Sequence, residues 1–222
     1  MHRLKLSENS TPHTKTFILL NPLKIMKKRW LIIPVIALLM FIFQFFRDPE
    51  RHVPELGVVS PADGKVIAVE TVESGDIPVV TKKGEEIYLE ELAGFISEDC
   101  YLVAIFMNPI DVHVNRSPLN GVVSKIIYKE GTNNMASNLA LQNERNIIII
   151  DGNTRMVVIQ IAGKFVRRIQ CFVNEGDALK RGDRLGRIVL GSQVVIILPS
   201  TYKVTVKVGD HVKAGESVIA LP

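Results

Sequence analysis

The chain has 222 residues, of which 47% are hydrophobic, with two cysteines and a formal net charge of +4. That length and apolar content suit one domain, or one and a half, with a true core. Cys100 and Cys171 lie far apart and outside any CxxC, which argues against a disulfide framework or a cysteine-type zinc site and leaves two reduced, partly buried thiols; the mild basic excess suits an anionic membrane surface or nucleic acid without choosing between them.

Residues 1–25 are polar apart from Phe17–Leu20 and read as a tail, with Met26 before Lys-Lys-Arg-Trp as the natural start. Residues 26–47 read as a membrane anchor. From Trp30 to Phe46 only Gln44 is polar, and Pro34 is the breaker. The run is at the short end of a membrane span. Lys24, Lys27, Lys28 and Arg29 precede it, and Trp30 takes the interfacial place. No small-x-small site follows, which disfavours a cleaved signal peptide.

From Val58 onward short Val- and Ile-rich runs recur between Gly, Pro, Asn and Asp, as in "GKVIAVETV", "YLVAIFMN", "NIIIIDGN" and "RMVVIQIAG". That spacing predicts a mainly β domain over 48–222, a sandwich or barrel-sandwich hybrid. "NNMASNLALQNERN" is the best candidate for a short helix or loop. An internal repeat is visible: "VNEGDALKRGDRLGRI" (173–188) matches "VKVGDHVKAGESVIAL" (206–221), and "SPADGKVIAV" (60–69) is similar to "SPLNGVVSKI" (117–126). The first pair resembles the hammerhead of lipoyl and biotinyl carriers, so duplicated lipoyl-like hammerheads are expected. Neither M-K-M nor D-K-A is present to carry a prosthetic arm.

Four histidines fall in tails or polar turns; His113 lies in the strand-like "MNPIDVHVNRSPLNG". Strand alternation puts Asp111, His113 and Asn115 on one face, where the carboxylate would orient the imidazole and raise its pKa. No HxH or HExxH accompanies it, so a metal is disfavoured. Asp63 sits in "SPADG", a sequence that a plain turn also explains.

In "RIVLGSQVVIILP" two apolar runs are broken by Gly191-Ser192-Gln193. A glycine there predicts a bulge or a close backbone approach inside one buried strand. If the backbone holds the Ser192 hydroxyl at the Gly191 carbonyl, an N-to-O acyl shift gives an ester. Removal of the Ser192 α-proton expels the carboxylate, and the dehydroalanine rearranges and hydrolyses to a pyruvoyl group. Glycine leaves the carbonyl unhindered. The product also avoids a charged amine at the head of a buried strand.

The ordered segments "FFRDPER", "VSPADGKV", "IFMNPIDVHVNRSPLNG", "NERN", "IAGKFVRRIQCFVNEGD" and "RLGRIVLGSQVVIILP" resemble the phosphatidylserine decarboxylase proenzymes, in particular their shorter subfamily. The resemblance implies self-cleavage between Gly191 and Ser192 into a β chain (1–191) and an α chain (192–222). It implies a pyruvoyl cofactor derived from Ser192, which forms a Schiff base with the substrate amine, with no pyridoxal phosphate and no metal. His113 and Asp63 take the acid/base positions. Longer members carry His-x-x-His-x-Pro; here the segment is His113-Val-Asn-Arg116-Ser-Pro118, and Gln193 replaces a Thr or Arg. Asp111, Arg116, Arg167 and Arg168 are candidates for orienting the site or contacting lipid phosphate, and Lys164 for the phosphate; a solvated basic face is the plainer account of Lys164, Arg167 and Arg168. The activity implied is conversion of phosphatidylserine to phosphatidylethanolamine, with an ether-linked archaetidylserine-type lipid as the alternative. A membrane-anchored lipoyl-like adaptor is the rival of another class, though it lacks heptads between its halves. The expected partners are a phospholipid, the membrane, the chain's own α and β parts and further copies of itself, with no nucleic acid. The expected location is the cell membrane, catalytic domain on the cytoplasmic face.

Overall fold

The computed structural model describes residues 22–82, 85–131, 139–163, 168–189 and 192–222. Two units, residues 1–41 and 42–222, are distinguished. Among the described residues the fold is mainly β with one α-helix, α1 (Pro22–Phe46), where the apolar run predicts it and with Pro34 inside. In the first unit Ile32, Ile33, Val35, Leu38 and Met40 of α1 are exposed. Among the described residues no helix is long and apolar enough to cross a membrane.

The first strands are β1 (Val58–Val59), β2 (Gly64–Glu73), β3 (Val79–Lys82), β4 (Glu85–Tyr88) and β5 (Cys100–Met107). They are followed by β6 (Val114–Arg116), β7 (Gly121–Lys129), β8 (Arg145–Asp151), β9 (Arg155–Ile161), β10 (Ile169–Cys171) and β11 (Ala178–Leu179). The last are β12 (Arg184–Ile188), β13 (Ser192–Pro199), β14 (Lys203–Val204), β15 (His211–Val212) and β16 (Val218–Leu221). The main sheet runs β11-β7-β8-β9-β13-β5-β2-β3-β4, with β15 on β2; it is open at both edges, not a closed barrel. Two three-stranded sheets, β1-β16-β14 and β10-β12-β6, complete the fold. Of the segment expected to hold a short helix, 133–138 lie outside the described residues, and 139–146 form turn and strand.

Strand alternation divides the core in two. Val103, Ile105, Met107, Val194 and Ile196 join one cluster, and Leu102, Ala104, Val195 and Ile197 the other. The central strands are therefore covered on both faces, which explains their continuous apolar runs. Ser192 is paired with Met107 and lies in phase with Val194, so its side chain shares the face of the first cluster.

The "RIVLGSQVVIILP" segment is not one bulged strand. β12 ends at Ile188 in a small sheet beside β6, and β13 begins at Ser192 in the main sheet. The chain changes sheets between Ile188 and Ser192; a bulge and a crossing leave the same mark in a sequence. Leu190 and Gly191 lie outside the described residues.

The repeats fold as twins. Gly209 and Gly176 donate to the carbonyls of Val66 and Val123 at 2.9 and 2.8 Å, and Gly215 and Gly182 to those of Ser60 and Ser117 at 2.8 and 2.9 Å. Ser60 Oγ reaches the Ala62 carbonyl at 2.7 Å and Ser117 Oγ the Leu119 carbonyl at 2.8 Å. Each proline turn is thus clamped by one copy of the glycine hairpin.

At the start of β2, Gly64 has φ +144°, and a Cβ there would stand 2.2 Å from the Phe106 carbonyl oxygen. Gly64→Ala combines backbone strain with a clash against a central strand. We expect a loss of about 3–5 kcal/mol, measured by urea melting.

Candidate active site

Five elements converge on the N-terminal end of β13. Ser192, the first residue of that strand, faces Met107 at the end of β5. On the far side of β5 lies Lys65 of β2, opposite Phe106, so Asp63 is held at this same end. The turn after β5 delivers His113, and β6 follows directly. The backbone of Arg116 donates to the Pro61 carbonyl at 2.9 Å, fixing β6 to the "SPADG" turn, and the backbone of Ile188 donates to the His113 carbonyl at 3.4 Å. Four residues after Ile188 comes Ser192, a chain path of at most about 14 Å.

His113 is fully buried, and its Nδ1 lies 2.9 Å from the Asp111 backbone carbonyl. A carbonyl only accepts, so Nδ1 carries the proton and Nε2 presents a lone pair. Among the described residues Nε2 has no hydrogen-bond partner, and neither has the buried Ser192 Oγ. The Phe45 ring lies against the imidazole with centroids 4.1 Å apart.

Three expectations are corrected here. His113 precedes β6 and is not in the strand, so alternation does not place it. The Asp111 carboxylate does not orient it: that group accepts the Asn108 backbone N–H at 2.7 Å, and the backbone carbonyl holds the imidazole instead. Nor is the imidazole made more basic. Burial pushes it below the ordinary histidine range; the Asp111 carbonyl and carboxylate oppose this, while Arg187 and Arg47 add to the fall. The neutral ring therefore persists as pH drops through the usual histidine value of about 6.5.

Asp63 is bound on two sides. Arg51 Nη2 donates to its carboxylate oxygens at 2.9 and 3.0 Å, and the Ala214 N–H to Oδ1 at 2.7 Å. The predicted Asp63 turn is real and carries a buried ion pair besides. Arg116, offered as an orienting or phosphate group, is buried and committed: it donates to Asp48 at 2.8 Å, the Gly182 carbonyl at 2.9 Å and the Pro49 carbonyl at 3.0 Å. Arg168 is exposed, while Lys164 and Arg167 lie outside the described residues.

Residues 47–51, directly after α1, form a strap over this end of the sheet. Arg47 donates to the Ile110 carbonyl at 2.9 Å, Asp48 pairs with Arg116 and Arg184, and Arg51 pairs with Asp63. The motif was visible in the sequence, but its contacts span more than sixty residues for Asp48 and Arg116, and no local pattern announces them. A buried amide row was also missed. Asn146 donates to Gln160 at 3.1 Å, Gln160 to Asn115 Oδ1 at 2.8 Å, and Asn115 to the Met107 sulfur at 3.6 Å. Its signal was Gln160, a lone amide in the apolar run "RMVVIQIAG". This row ends on the residue that faces Ser192.

The rest of the molecule offers no rival chemistry in its thiols. Cys171 is exposed rather than partly buried, because the short edge strand β10 turns it outward. Cys100 is buried, with its thiol pushed up to about 12, chiefly by burial and then by Glu98 and Asp99. It borders a cavity of about 310 Å³ by Ile197 and Pro199, at the opposite end of β13 from Ser192. A thiol so hard to ionise is a poor nucleophile.

The sequence profile of the phosphatidylserine decarboxylase family matches residues 38–220. A Syntrophus aciditrophicus protein named phosphatidylserine decarboxylase proenzyme is 42% identical over 200 residues, which cover 86% of this chain and 84% of that one. A Methanocaldococcus jannaschii protein with the provisional name archaetidylserine decarboxylase proenzyme is 40% identical over 199 residues, 87% of this chain and 96% of that one. A Desulfotalea psychrophila phosphatidylserine decarboxylase proenzyme is 38% identical over 185 residues, covering 81% and 78%.

Proposed function

The chain belongs to the phosphatidylserine decarboxylase family, a proenzyme decarboxylase of phospholipid synthesis, and on that premise we propose that Ser192 is the source of its pyruvoyl group and His113 its acid/base residue. The observation that carries this is the pair of buried, partnerless atoms, Ser192 Oγ and His113 Nε2, at the crossing between two sheets. A buried polar atom without a partner costs about 1–3 kcal/mol and calls for an explanation. A nucleophile and a base that must stay unengaged supply one.

In the uncut chain the Ser192 hydroxyl attacks the Gly191 carbonyl, and His113 Nε2, carrying a lone pair, takes the proton. The bond from Gly191 carbon to Ser192 nitrogen breaks as the ester forms. Loss of the Ser192 α-proton then expels the Gly191 carboxylate, and water replaces the nitrogen, which leaves as ammonia. Once formed, the pyruvoyl group supplies a ketone that condenses with the substrate amine and draws electrons as carbon dioxide departs. His113, protonated at Nε2, returns a proton to the carbon that lost the carboxylate. Phe45 keeps bulk water from the imidazole, and Asp63 with Arg51 fixes the turn beside β5.

The head group reacts alike on acyl- and ether-linked lipids, and relatives of both names stand at similar identity. The exposed apolar side chains of α1 support a place at the cell membrane, with α1 in the interface and the catalytic unit on the cytoplasmic side. The twinned glycine hairpins are in this account the lipoyl-like hammerheads of a duplicated fold.

Intact mass of the purified protein tests the central step. Two fragments are expected, the smaller beginning at residue 192 and lighter by one ammonia than the encoded peptide. A single full-length mass with serine-lipid decarboxylation would overturn it.

The pH dependence follows from the depressed imidazole. The proton-free form of His113, the base of the cleavage step, is retained to pH values below about 6.5, so the acidic limb of the self-cleavage rate should fall below that value. Folded His113 has the lower pKa, and the unfolded chain binds the proton first as pH drops. Stability from this group is therefore full above about 6.5 and declines below it. An acidic limb at or above 6.5 that His113→Gln leaves in place would assign the base elsewhere.

A further inference from the structure

The strap, β6 and β12 carry five arginines: Arg47, Arg51, Arg116, Arg184 and Arg187. Three are neutralised by carboxylates: Arg51 by Asp63 and Glu216, Arg116 by Asp48, and Arg184 by Asp48 and Glu50. Arg47 and Arg187 are different. Among the described residues neither has an acidic partner. Arg47 spends its guanidinium on two backbone carbonyls, of Gln44 at 3.0 Å and Ile110 at 2.9 Å. Arg187 lies over the Phe46 ring, 5.3 Å from its centroid, reaches the Phe46 carbonyl at 3.4 Å, and has a buried Nε with no partner.

Both guanidiniums belong to the surroundings of the imidazole: Arg47 holds the Ile110 carbonyl, three residues before His113, and the charges of both arginines act on the ring. Arg187 contacts the residue before Arg47, and it is paired across the sheet with Val114, which adjoins His113. Both are half-buried, where charge is screened less than at a free surface. A half-buried cationic pair without carboxylates, beside a residue that handles protons, is built for an anion.

A serine phospholipid brings two anionic groups, its carboxylate and its phosphodiester. Arginine on the carboxylate would stabilise the charge that the reaction must discharge and slow the departure of carbon dioxide. Arginine on the phosphodiester holds the molecule by a group that does not change. We propose that Arg47 and Arg187 form an anion subsite that grips the phosphodiester of the lipid head group while His113 serves the reacting carbon. The assignment rests on the decarboxylase function above.

The test uses processed enzyme, its cleavage checked by intact mass, with Arg47→Gln, Arg187→Gln and the double variant. Two soluble compounds share the reacting amine and carboxylate: glycerophosphoserine has the phosphodiester, and O-methylserine lacks it. The wild type should prefer glycerophosphoserine in kcat/KM. Each substitution should cut that preference about tenfold and the pair about a hundredfold, carried by KM. Should Arg187→Gln remain uncut, Arg187→Lys keeps the charge while losing the fork, and should cut the preference in part. Inorganic phosphate should compete with glycerophosphoserine in the wild type and lose that ability in the double variant. A double variant with wild-type preference overturns the proposal, as does phosphate binding that glycerophosphoserine fails to displace. A wild type that turns over neither compound, yet binds phosphate only with both arginines present, supports the subsite and removes the decarboxylase reading instead.

Discussion

Ser192→Ala is expected to yield a single uncut chain of full mass, with decarboxylation at background, and a fold no less stable than the wild-type precursor. The three parts have one cause. Ser192 is fully buried at the head of a strand paired on both sides further along its length, and its Oγ finds no hydrogen-bond partner among the described residues. Alanine removes the nucleophile but also a desolvated hydroxyl whose burial costs about 1–3 kcal/mol on mutational scales. Most single substitutions destabilise; this one should be neutral or gain about 1 kcal/mol, because the hydroxyl is kept at the fold's expense. Ser192→Thr retains the hydroxyl and adds a methyl against Met107 in a closed core, so cleavage should be slow, not absent. Denaturing gels and intact mass follow cleavage, urea melts of the precursors follow stability, and carbon dioxide release follows turnover. A cut Ser192→Ala chain would remove the serine from the mechanism.

Much of the fold was legible because it is written in short periods. The Val and Ile runs gave strands, and the duplicated glycine hairpins gave a repeat whose hydrogen bonds match copy by copy. The crossing between Ile188 and Ser192 was not legible. Pairing decides whether an interrupted apolar run is one strand or two, and β12 and β13 differ only in their partners, β6 and β10 against β5 and β9. His113 could be picked out as the single histidine in an apolar stretch, yet its protonation could not. That is set by the Asp111 backbone carbonyl and by Phe45, and neither a carbonyl's direction nor a ring some seventy residues upstream can be read from residue types. The strap shows the same limit: Arg51 and Asp63 are opposite charges twelve residues apart, and nothing local distinguishes a buried pair from two solvated side chains.

Asp63→Asn is expected to fold as the wild-type precursor does and to self-cleave at least about a hundredfold more slowly. The duplication supplies an internal control for the first half of that statement. In the twin turn the same position is Asn120, whose Oδ1 accepts the Arg181 N–H at 2.8 Å as Asp63 Oδ1 accepts that of Ala214 at 2.7 Å. An asparagine therefore already performs the structural task in this fold. What it cannot do is balance Arg51 or carry a proton. Arg51 is buried, and its remaining acidic neighbour, Glu216, stands 3.7 Å away. A loss of charge balance and a loss of acid/base function would both slow cleavage, and Arg51→Met separates them. Arg51→Met alone strands the Asp63 carboxylate and should destabilise by about 3–5 kcal/mol, the usual consequence of removing one partner of a buried pair. Arg51→Met combined with Asp63→Asn removes both charges and should recover most of that stability, since buried pairs replaced together are close to neutral. If Asp63 serves only to neutralise Arg51, cleavage returns with stability in the double variant. If it takes part in proton transfer, the double variant melts like the wild-type precursor and stays uncut for about a hundred times as long. Timed gels of newly synthesised chain, beside urea melts of the same proteins, decide between the two, and wild-type cleavage by Asp63→Asn itself would leave the residue a turn and nothing more.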